Sequence, residues 1–511
     1  MAWRSIAMAA FLLSAPLQAA QQTPPEPSAA ERMRAAEQAL ENVDPERMSD
    51  PAYAGTIADH LLLLRTRPGL DAETRYRTEQ MLAFALAHAG RHDAAAAAAE
   101  AMIRIRPAAA RSYLSAWSAA SIAERREQMI SAVERAAEAL RDPAERAAFA
   151  ADFERGRVAW QLRGLEADRD GQGRFAAALL RLGWPGAGEP RQMADALRLI
   201  VVDRHLRRGE RAEAARIAGE VLGVRESLIL VTGRRFDTVI GEADRVGRVR
   251  AAIEAKDRAT AGALAAAPDE IDALVERATF LRATGRDRQA LELLLPLMGD
   301  PTLVVARGER ALWLVNEAAY SLIATGEPDE AIELMRPVAA IDLEANPGLV
   351  NTTLNYIHML FKTGRNEEVL REAARVEAAT EGYASDYGKM VLWGNAVCAA
   401  AALGRSAESD RWLRPMEAKA GENPSSMIQA RLCRGETDAA ESLLVNTLEN
   451  DDWREEAILW MQDWEPRQET VASQLLAGRF AELRARPAVE AAFARVGRRL
   501  RLPLPSTFYG F

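Results

Sequence analysis

A short unit built around a glycine recurs seven times in this chain of 511 residues. One copy reads LIATGEPDEAIELMRP, from Leu322 to Pro337. In each copy a small or medium residue follows the glycine five positions later, and further apolar residues follow at nine and usually at twelve. From Gly285 to Gly404 the glycines are 41, 38 and 40 residues apart, which predicts a chain built from this unit. The seven are Gly90, Gly209, Gly285, Gly326, Gly364, Gly404 and Gly435.

Each position of the unit has a physical role. Glycine supplies the backbone freedom that ends one helix and turns the chain into the next. A small residue at the fifth position, such as Ala331, lets the second helix approach the first closely. The apolar residues that follow continue a buried stripe at helical spacing. The unit therefore predicts a pair of antiparallel helices, and its recurrence predicts a stack of such pairs.

Composition favours helices along the whole chain. The sequence is 49% hydrophobic but only 6% aromatic, and its apolar residues are mostly alanine and leucine. Alanine is the best helix former, whereas β-branched and aromatic residues favour strands. The net charge of −9 is modest, and charges of both signs alternate along the predicted helices. That pattern is typical of a solvated surface, so no nucleic-acid partner is expected.

These repeats resemble the tetratricopeptide repeat (TPR) family, whose helix-turn-helix units stack into a superhelix. The resemblance covers about half of the chain, from residue 194 to residue 447, plus one isolated unit around Gly90. Trp393, eleven residues before its glycine, fits the family pattern, as do Asn355 and Asn395, nine before theirs. The period is longer than the usual ~34 residues, and most family aromatics are replaced by Ala, Leu or Met. The resemblance implies an all-α fold, an α-solenoid of antiparallel helix pairs with elongated repeats of about 38–41 residues.

The first 20 residues are predicted to be a signal peptide. Arg4 supplies a short positive region, and Ile6–Ala15 forms an apolar core. Small residues near Ala19 provide a cleavage site. The apolar run is shorter than the ~20 residues that span a bilayer. No cysteine follows it, so we exclude bacterial lipoprotein processing. We expect export to the periplasm or the medium and no membrane span in the mature chain.

The rest of the chain divides by composition. Residues 21–27 are predicted to be a linker, and residues 28–185 a helical region with one TPR-like unit. Residues 191–250 form a further unit with a closing element, and residues 251–465 form the main array. Residues 466–511 contain capping helices and a tail. The closing element at Val231–Gly247 has a counterpart at Ala477–Phe493. We expect the tail, Arg501–Phe511, to pack on the last repeat rather than to serve as a docking peptide.

Three copies of the unit carry a proline eleven residues after the glycine. These are Pro296, Pro337 and Pro415. Proline within a helix removes a hydrogen bond and clashes with the preceding turn. The second helix of each of these repeats is therefore predicted to kink or end at the proline.

No catalytic signature is found, and neither catalytic residues nor cofactors are predicted. Residues 166–177 superficially resemble a calcium loop, but the twelfth position, which needs a glutamate, is Ala177. His88 and His92 are four apart, yet Gly90 lies between them at a predicted turn, so they are not expected to share a face. We interpret both as surface features, and no metal site is predicted.

The two cysteines, Cys398 and Cys433, lie on the first helices of neighbouring repeats. Adjacent helix axes are ~8–10 Å apart. A disulfide needs Cα atoms within ~7 Å. Two buried free thiols are therefore expected rather than a disulfide.

The best binding candidate is the exposed face of the first helices, which lines the concave groove of such a superhelix. Positions 13, 10, 6 and 3 residues before the glycine share that face. Aromatic and amide side chains together suit an extended peptide, which they contact by stacking and by backbone hydrogen bonds. The alternative is that Trp313 and Phe361 are ordinary core between repeats. The predicted groove residues are Trp313, Asn316 and Tyr320 before Gly326, and Asn351, His358 and Phe361 before Gly364.

The function that follows is a non-catalytic scaffold that binds a protein or extended peptide in this groove. One alternative is a factor or enzyme-associated subunit for assembly of envelope polysaccharide. A second alternative is an array that associates with itself, which would require a large exposed apolar patch.

Overall fold

The structure, a computed structural model, describes residues 28–186, 194–241, 245–299, 307–467 and 470–505. Within these ranges the chain is an α-solenoid of antiparallel helix pairs with almost no sheet, which confirms the predicted fold class. The predicted signal peptide, the linker and the last six residues of the tail lie outside the described residues. None of the described helices is both long and apolar enough to cross a membrane.

The helices follow one another in chain order with short connections. They are α1 (Ala29–Glu41), α2 (Pro51–Arg65), α3 (Ala72–His88), α4 (His92–Ile105), α5 (Ala110–Ile122), α6 (Arg126–Ala139), α7 (Pro143–Ala151), α8 (Arg155–Gly164), α9 (Arg169–Arg181), α10 (Asp195–Arg207), α11 (Arg211–Gly219), α12 (Val224–Thr232), α13 (Arg245–Ala266), α14 (Ile271–Ala283), α15 (Asp287–Leu294), α16 (Leu312–Thr325), α17 (Pro328–Ala339), α18 (Val350–Lys362), α19 (Asn366–Thr380), α20 (Asp386–Ala402), α21 (Ser406–Glu417), α22 (Pro424–Cys433), α23 (Thr437–Glu449), α24 (Arg454–Trp460), α25 (Val471–Arg484) and α26 (Pro487–Val496). Two short strands, β1 (Asp463–Glu465) and β2 (Arg501–Pro505), pair in parallel.

Contacts divide the chain into two compact units. Among the described residues, one unit comprises those of 28–161 and 181–184, and the other comprises those of 162–180 and 185–505. In the first unit, α1 to α5 enclose an aliphatic core, mostly of Leu and Ala side chains, that includes the fully buried Leu61, Leu82 and Leu86. In the second unit, one continuous core runs from α14 to α26.

The turn glycines have the conformation that the repeat predicts. All seven have a positive φ, between 72° and 92°. After α18, Gly364 N donates to Phe361 O at 2.9 Å and Arg365 N donates to Leu360 O at 2.9 Å. This is the Schellman pattern, in which a left-handed residue satisfies the last carbonyls of the helix. The residues five positions after the seven glycines are all at most 1% exposed, as close helix packing requires.

Replacing Gly364 by alanine is expected to lower the free energy of unfolding by about 1–2 kcal/mol, because a Cβ disfavours the left-handed region. Its φ is 75°, and no neighbouring atom lies within 4 Å of the added Cβ, so the cost is conformational rather than steric. Gly262 is the matched control, because it lies within α13 with equal space around it. Gly262→Ala is expected to stabilise by about 0.5–1 kcal/mol. Urea denaturation measures both, and equal effects at the two sites would contradict this account of the turn.

The three prolines do not all end their helices. Helix α15 ends at Leu294 and a 3₁₀ turn, Leu295–Leu297, contains Pro296, as predicted. Helices α17 and α21 instead continue for two residues beyond Pro337 and Pro415. Each of these two prolines lacks the N–H that would bond the carbonyl four residues before it, but the helix does not end at it.

The prediction of free thiols is wrong. Cys398 on α20 and Cys433 on α22 form a disulfide with a Cα–Cα distance of 5.0 Å. The prediction compared the spacing of helix axes with a limit that applies to Cα atoms. Each Cα lies ~2.3 Å from its helix axis, so Cα atoms on the facing sides of two neighbouring helices are several ångströms closer than the axes.

The C-terminal segment returns to the repeats that precede it. Strand β2 pairs with β1, and its Leu502 and Leu504 are buried, so residues 501–505 pack on the chain as expected for the tail. Arg479 of α25 donates to Leu432 O at 2.7 Å and to Cys433 O at 3.0 Å, at the end of α22. Helix α25 therefore caps the C-terminal carbonyl groups of α22.

Candidate ligand groove

Four first helices, α16, α18, α20 and α22, contribute to one cavity near their N-terminal ends. Local capping fixes two of these ends: Ser385 Oγ accepts from Gly388 N at 3.1 Å, and Asn423 Oδ1 accepts from Ser426 N at 3.1 Å. The cavity has a volume of about 240 Å³. Its lining is Trp313, Asn351, Leu354, Asn355, His358, Tyr387, Gly388, Val391, Asn395, Asn423, Ser425, Ser426 and Gln429. We call these residues the amide groove.

The lining follows the register of the repeat. The position nine residues before the glycine supplies Asn355, Asn395 and Ser426 in three successive repeats. The position thirteen before supplies Trp313 and Asn351. One repeated register therefore brings side chains of successive repeats to the same cavity, and two of the three at the ninth position before the glycine are amides.

The six residues predicted for the groove separate into two groups. Trp313, Asn351 and His358 line the cavity. Asn316, Tyr320 and Phe361 are 1%, 8% and 6% exposed and do not belong to the lining. For Phe361 the core alternative is thus the better description.

The buried polar members of the second group support the lining from beneath. Tyr320 Oη donates to Asn355 Oδ1 at 3.4 Å, and Asn355 Nδ2 donates to Asn316 Oδ1 at 3.3 Å. Asn316 Nδ2 in turn donates to Thr352 Oγ1 at 3.3 Å. A buried amide needs such partners, since an unsatisfied one costs about 1–3 kcal/mol. The chain of bonds holds the Asn355 side chain in a fixed orientation at the cavity.

His358 is neutral and has a defined tautomer. Asn395 Nδ2 donates to Val391 O at 3.0 Å, which directs its Oδ1 towards His358 Nδ1 at 3.1 Å. Because Asn395 Oδ1 is an acceptor, the proton of the imidazole lies on Nδ1. Burial, with a smaller contribution from the charge of Lys362, lowers the pKa of His358 from 6.5 to about 3. At neutral pH the groove therefore contains an uncharged imidazole.

The unfolding free energy is expected to fall as the pH drops below 6.5, because unfolded His358 takes up a proton that the folded protein excludes. The folded pKa is about 3 and the unfolded value 6.5, so the loss develops between those two pH values. At pH 5 it amounts to about 2 kcal/mol relative to pH 7.5. Urea denaturation of the parent and of His358→Gln at the two pH values measures the difference. An equal pH dependence in both proteins would contradict a buried neutral histidine.

Among the described residues that line the amide groove, none has a charged side chain, although 27% of the whole sequence is charged. Amides, hydroxyls and the imidazole offer hydrogen bonds, while Trp313 and the half-exposed Tyr387 offer aromatic surface. Such a lining suits an uncharged polar ligand, because a charged group that enters it loses hydration without gaining an ionic partner.

Sequence reasoning missed the half of the groove that α20 and α22 contribute. The register that was applied before Gly326 and Gly364 also finds Ser425 and Gln429 when it is applied before Gly435. Asn355 and Asn395 were singled out only as matches to the TPR pattern. Tyr387 and Asn423 lie at helix starts, outside the register, and carry no repeat signal.

The other sequence features are placed as follows. His88 ends α3 and contacts the Phe84 ring edge-on, with centroids 4.5 Å apart, whereas His92 begins α4. Asp168 accepts from Gly171 N at 2.8 Å at the start of α9. In the part of the chain that the structure describes, no group of three or more His, Cys, Asp or Glu side chains is arranged to hold a metal ion.

The helix pairs and the groove define a class of protein, an all-helical repeat solenoid with side chains of several repeats converging on one cavity. No protein-family model and no curated protein matches the chain. Among solved structures, the TPR domain of P58(IPK) is similar over 73% of this chain and 99% of its own, with 15% identity and a TM-score of 0.20. The Naa15/Naa10 complex bound to HypK-THB is similar over 91% of this chain and 79% of the matched chain, with 12% identity and a TM-score of 0.19. The fold assignment rests on the helix pairs and turns of this chain.

Proposed function

We propose that the protein is a non-catalytic scaffold that binds an extended peptide segment of a partner protein in the amide groove. The observation that carries the proposal is the uncharged lining, to which four successive first helices contribute. Peptide backbone groups are uncharged and repeat along an extended chain, so a row of amides at the repeat period matches them. The aromatic side chains Trp313 and Tyr387 would contact the peptide side chains.

We also propose that the protein is exported to the periplasm or the medium. Export is supported by the N-terminal sequence pattern and by the Cys398–Cys433 disulfide, since disulfides persist in oxidising compartments. A fluorescent-protein fusion that is tracked to the periplasm or the medium tests this part independently of ligand binding. Retention of the uncleaved chain in the cytoplasm would contradict it.

A second candidate ligand has a specific observation in its favour. Aromatic faces beside amides and hydroxyls also suit a neutral sugar chain, which would make the protein a factor for surface polysaccharide. The peptide is preferred because the amides recur at the helix-repeat spacing, which a backbone of regular amides can match along its length. Titration with neutral oligosaccharides is therefore one arm of the test.

The test begins with a random peptide library that is displayed on phage and selected on the immobilised parent protein. Selected peptides are synthesised and titrated by fluorescence anisotropy against the parent and against Asn351→Ala/Tyr387→Ala. Both residues line the groove and are exposed, so their removal should leave the fold intact. The dissociation constant is expected to rise at least about tenfold in the double variant, which corresponds to ~1.4 kcal/mol.

Tyr383→Ala is the matched control. Tyr383 is 45% exposed and Tyr387 is 51% exposed, but only Tyr387 lines the groove. The control should bind the selected peptides within about twofold of the parent, a difference of ~0.4 kcal/mol. An equal loss of peptide affinity in the control and in the double variant, or no loss of affinity in either, would contradict the groove as the peptide site. Saturable binding of oligosaccharides with no selectable peptide would favour the second candidate.

A further inference from the structure

A second cavity, of about 330 Å³, lies in the larger unit away from the groove. Its lining comes from α12, from the 3₁₀ turn Arg234–Phe236, from α24 and from α26. We call it the arginine cavity, and its lining is Ile229, Thr232, Gly233, Arg234, Arg235, Phe236, Arg454, Glu455, Ile458, Arg495 and Val496.

The cavity is built where an early and a late segment of the chain meet. Arg498 N donates to Thr232 O at 2.9 Å, and Gly233 and Gly497 form an antiparallel bridge. A Cβ at Gly497 would lie 2.5 Å from the Phe493 ring of the same segment, so a side chain there would clash with the end of α26. The close approach at this junction leaves the cavity beside it, with two walls from segments more than 200 residues apart.

The floor of the cavity is apolar. Phe236 is fully buried, and Ile229 and Ile458 are 3% and 4% exposed. The Arg235 guanidinium lies 4.6 Å above the centroid of the Phe236 ring, a cation–π contact. A ligand in this cavity would therefore meet apolar surface below and guanidinium groups at the rim.

The charges of the lining are unequal, with four arginines and one carboxylate, Glu455. Burial, together with the positive charges of Arg454 and Arg169, lowers the pKa of Arg235, even though Asp203 acts in the opposite direction. Arg235 lines the cavity and keeps 37% of its side chain exposed. An anion in the cavity would relieve this repulsion.

The four arginines differ in what they can still bind. Arg454 donates to Leu448 O at 3.1 Å and to Glu449 O at 2.7 Å, and it pairs with Asp451. Arg235 pairs with Glu455, and Arg495 pairs with Glu449.

Arg234 is the exception. Its Nε donates to Gly497 O at 3.0 Å. Its Nη1 and Nη2 have no partner among the residues that the structure describes. A guanidinium with its terminal nitrogens available is the group that binds carboxylate and phosphate oxygens in a bidentate manner.

We propose that the arginine cavity binds a small organic anion, with a carboxylate or phosphate head on Arg234 and an apolar body over Phe236 and Ile458. Arg495 and Arg454 contribute positive charge near the head. Since both walls of the cavity contact the ligand, binding stabilises the junction between the early and late segments. The site is separate from the amide groove, and its occupancy does not depend on the proposed peptide function.

Isothermal titration of the full-length mature protein tests the proposal with four probes: phenyl phosphate, benzoate, inorganic phosphate and benzyl alcohol. We expect saturable binding of at least one of the two organic anions, with inorganic phosphate and benzyl alcohol at least tenfold weaker. The same organic anion should raise the melting temperature, because a ligand that binds only the folded state stabilises it. No saturable binding of either organic anion would overturn the site, and equal binding of inorganic phosphate would overturn the role of the apolar floor.

Three variants locate the binding. Arg234→Gln should lower the affinity for the organic anion at least tenfold. Arg495→Gln should lower it a few-fold; the Arg495 side chain is 58% exposed, so its loss should leave the junction intact. The matched control is Arg258→Gln, whose side chain is 75% exposed on α13 outside the cavity; it should bind like the parent. If Arg234→Gln melts like the parent and binds equally well, or if all three variants weaken binding alike, the assignment is overturned.

Discussion

Replacing Glu317 by alanine is expected to lower the free energy of unfolding by about 3–5 kcal/mol. Glu317 on α16 pairs with Arg282 on α14, and the two residues are 3% and 8% exposed. Arg282 Nη2 lies 3.4 Å from Glu317 Oε1, in addition to the closer contact from Nε. Removal of the carboxylate leaves a buried guanidinium without its main counterion.

The surroundings of the pair increase this cost. Arg467, which pairs with Asp287, is close enough that the charges of Arg282 and Glu317 both affect its pKa, in opposite directions. The four residues thus form a cluster of two cations and two anions, of which only Arg467 is partly exposed. Without Glu317 the cluster has one more cation than anions, and burial already lowers the pKa of Arg467.

Two controls separate charge pairing from packing. The double variant Arg282→Met/Glu317→Leu is expected to recover most of the loss, because apolar residues of similar volume can replace a buried pair at little cost. Glu330→Ala, an exposed acid on α17, should change the free energy by no more than about 0.5 kcal/mol. Urea denaturation measures all three. A loss below about 1 kcal/mol for Glu317→Ala would mean that water reaches the pair.

Reduction of the Cys398–Cys433 disulfide is the second large effect, expected to lower the free energy of unfolding by about 2–4 kcal/mol. The bond joins residues 35 apart in sequence, so it closes a loop that would otherwise be free in the unfolded chain. It also links α20 covalently to α22. These are the two helices from which the sequence analysis predicted no groove residue. Gln429 Nε2 lies 3.8 Å from Cys398 Sγ, so the bond is next to the groove lining.

Urea denaturation with and without a thiol reductant measures this effect. The control is Cys398→Ala/Cys433→Ala, which should unfold near the reduced parent and show no response to reductant. A parent protein from an oxidising compartment that contains two free thiols by mass, and that is insensitive to reductant, would contradict the disulfide.

The repeat architecture could be predicted because its determinants are local. The turn at Gly364 needs only a residue that tolerates positive φ, and the close packing of Ala331 needs only its small size. Both properties are visible one residue at a time. For Glu317 the sequence is less informative. Its position in the repeat places it on a first helix, but it does not show that Glu317 is buried in an ion pair with Arg282.

The parts that were missed depend on distances between helices. The disulfide was rejected because the spacing of helix axes was applied to Cα atoms, although Cα atoms on the facing sides of two helices lie closer than the axes. Helical periodicity placed Tyr320 on the exposed face of its helix, but neighbouring side chains cover that position in the folded chain. Periodicity gives the direction of a side chain relative to its own helix axis, and burial depends on what the adjacent repeats place over it.

The central claim, that the amide groove is where a partner binds, is tested most directly by photocrosslinking in the cells that express the protein. A photoreactive phenylalanine analogue replaces Asn351, which lines the groove, or Arg371 on α19, which is 64% exposed outside it. Crosslinked peptides are then identified by mass spectrometry. The account predicts that Asn351 crosslinks to one extended, largely uncharged segment of one partner protein and that Arg371 does not. Crosslinks of the same partner at both positions, or at Arg371 alone, would contradict it.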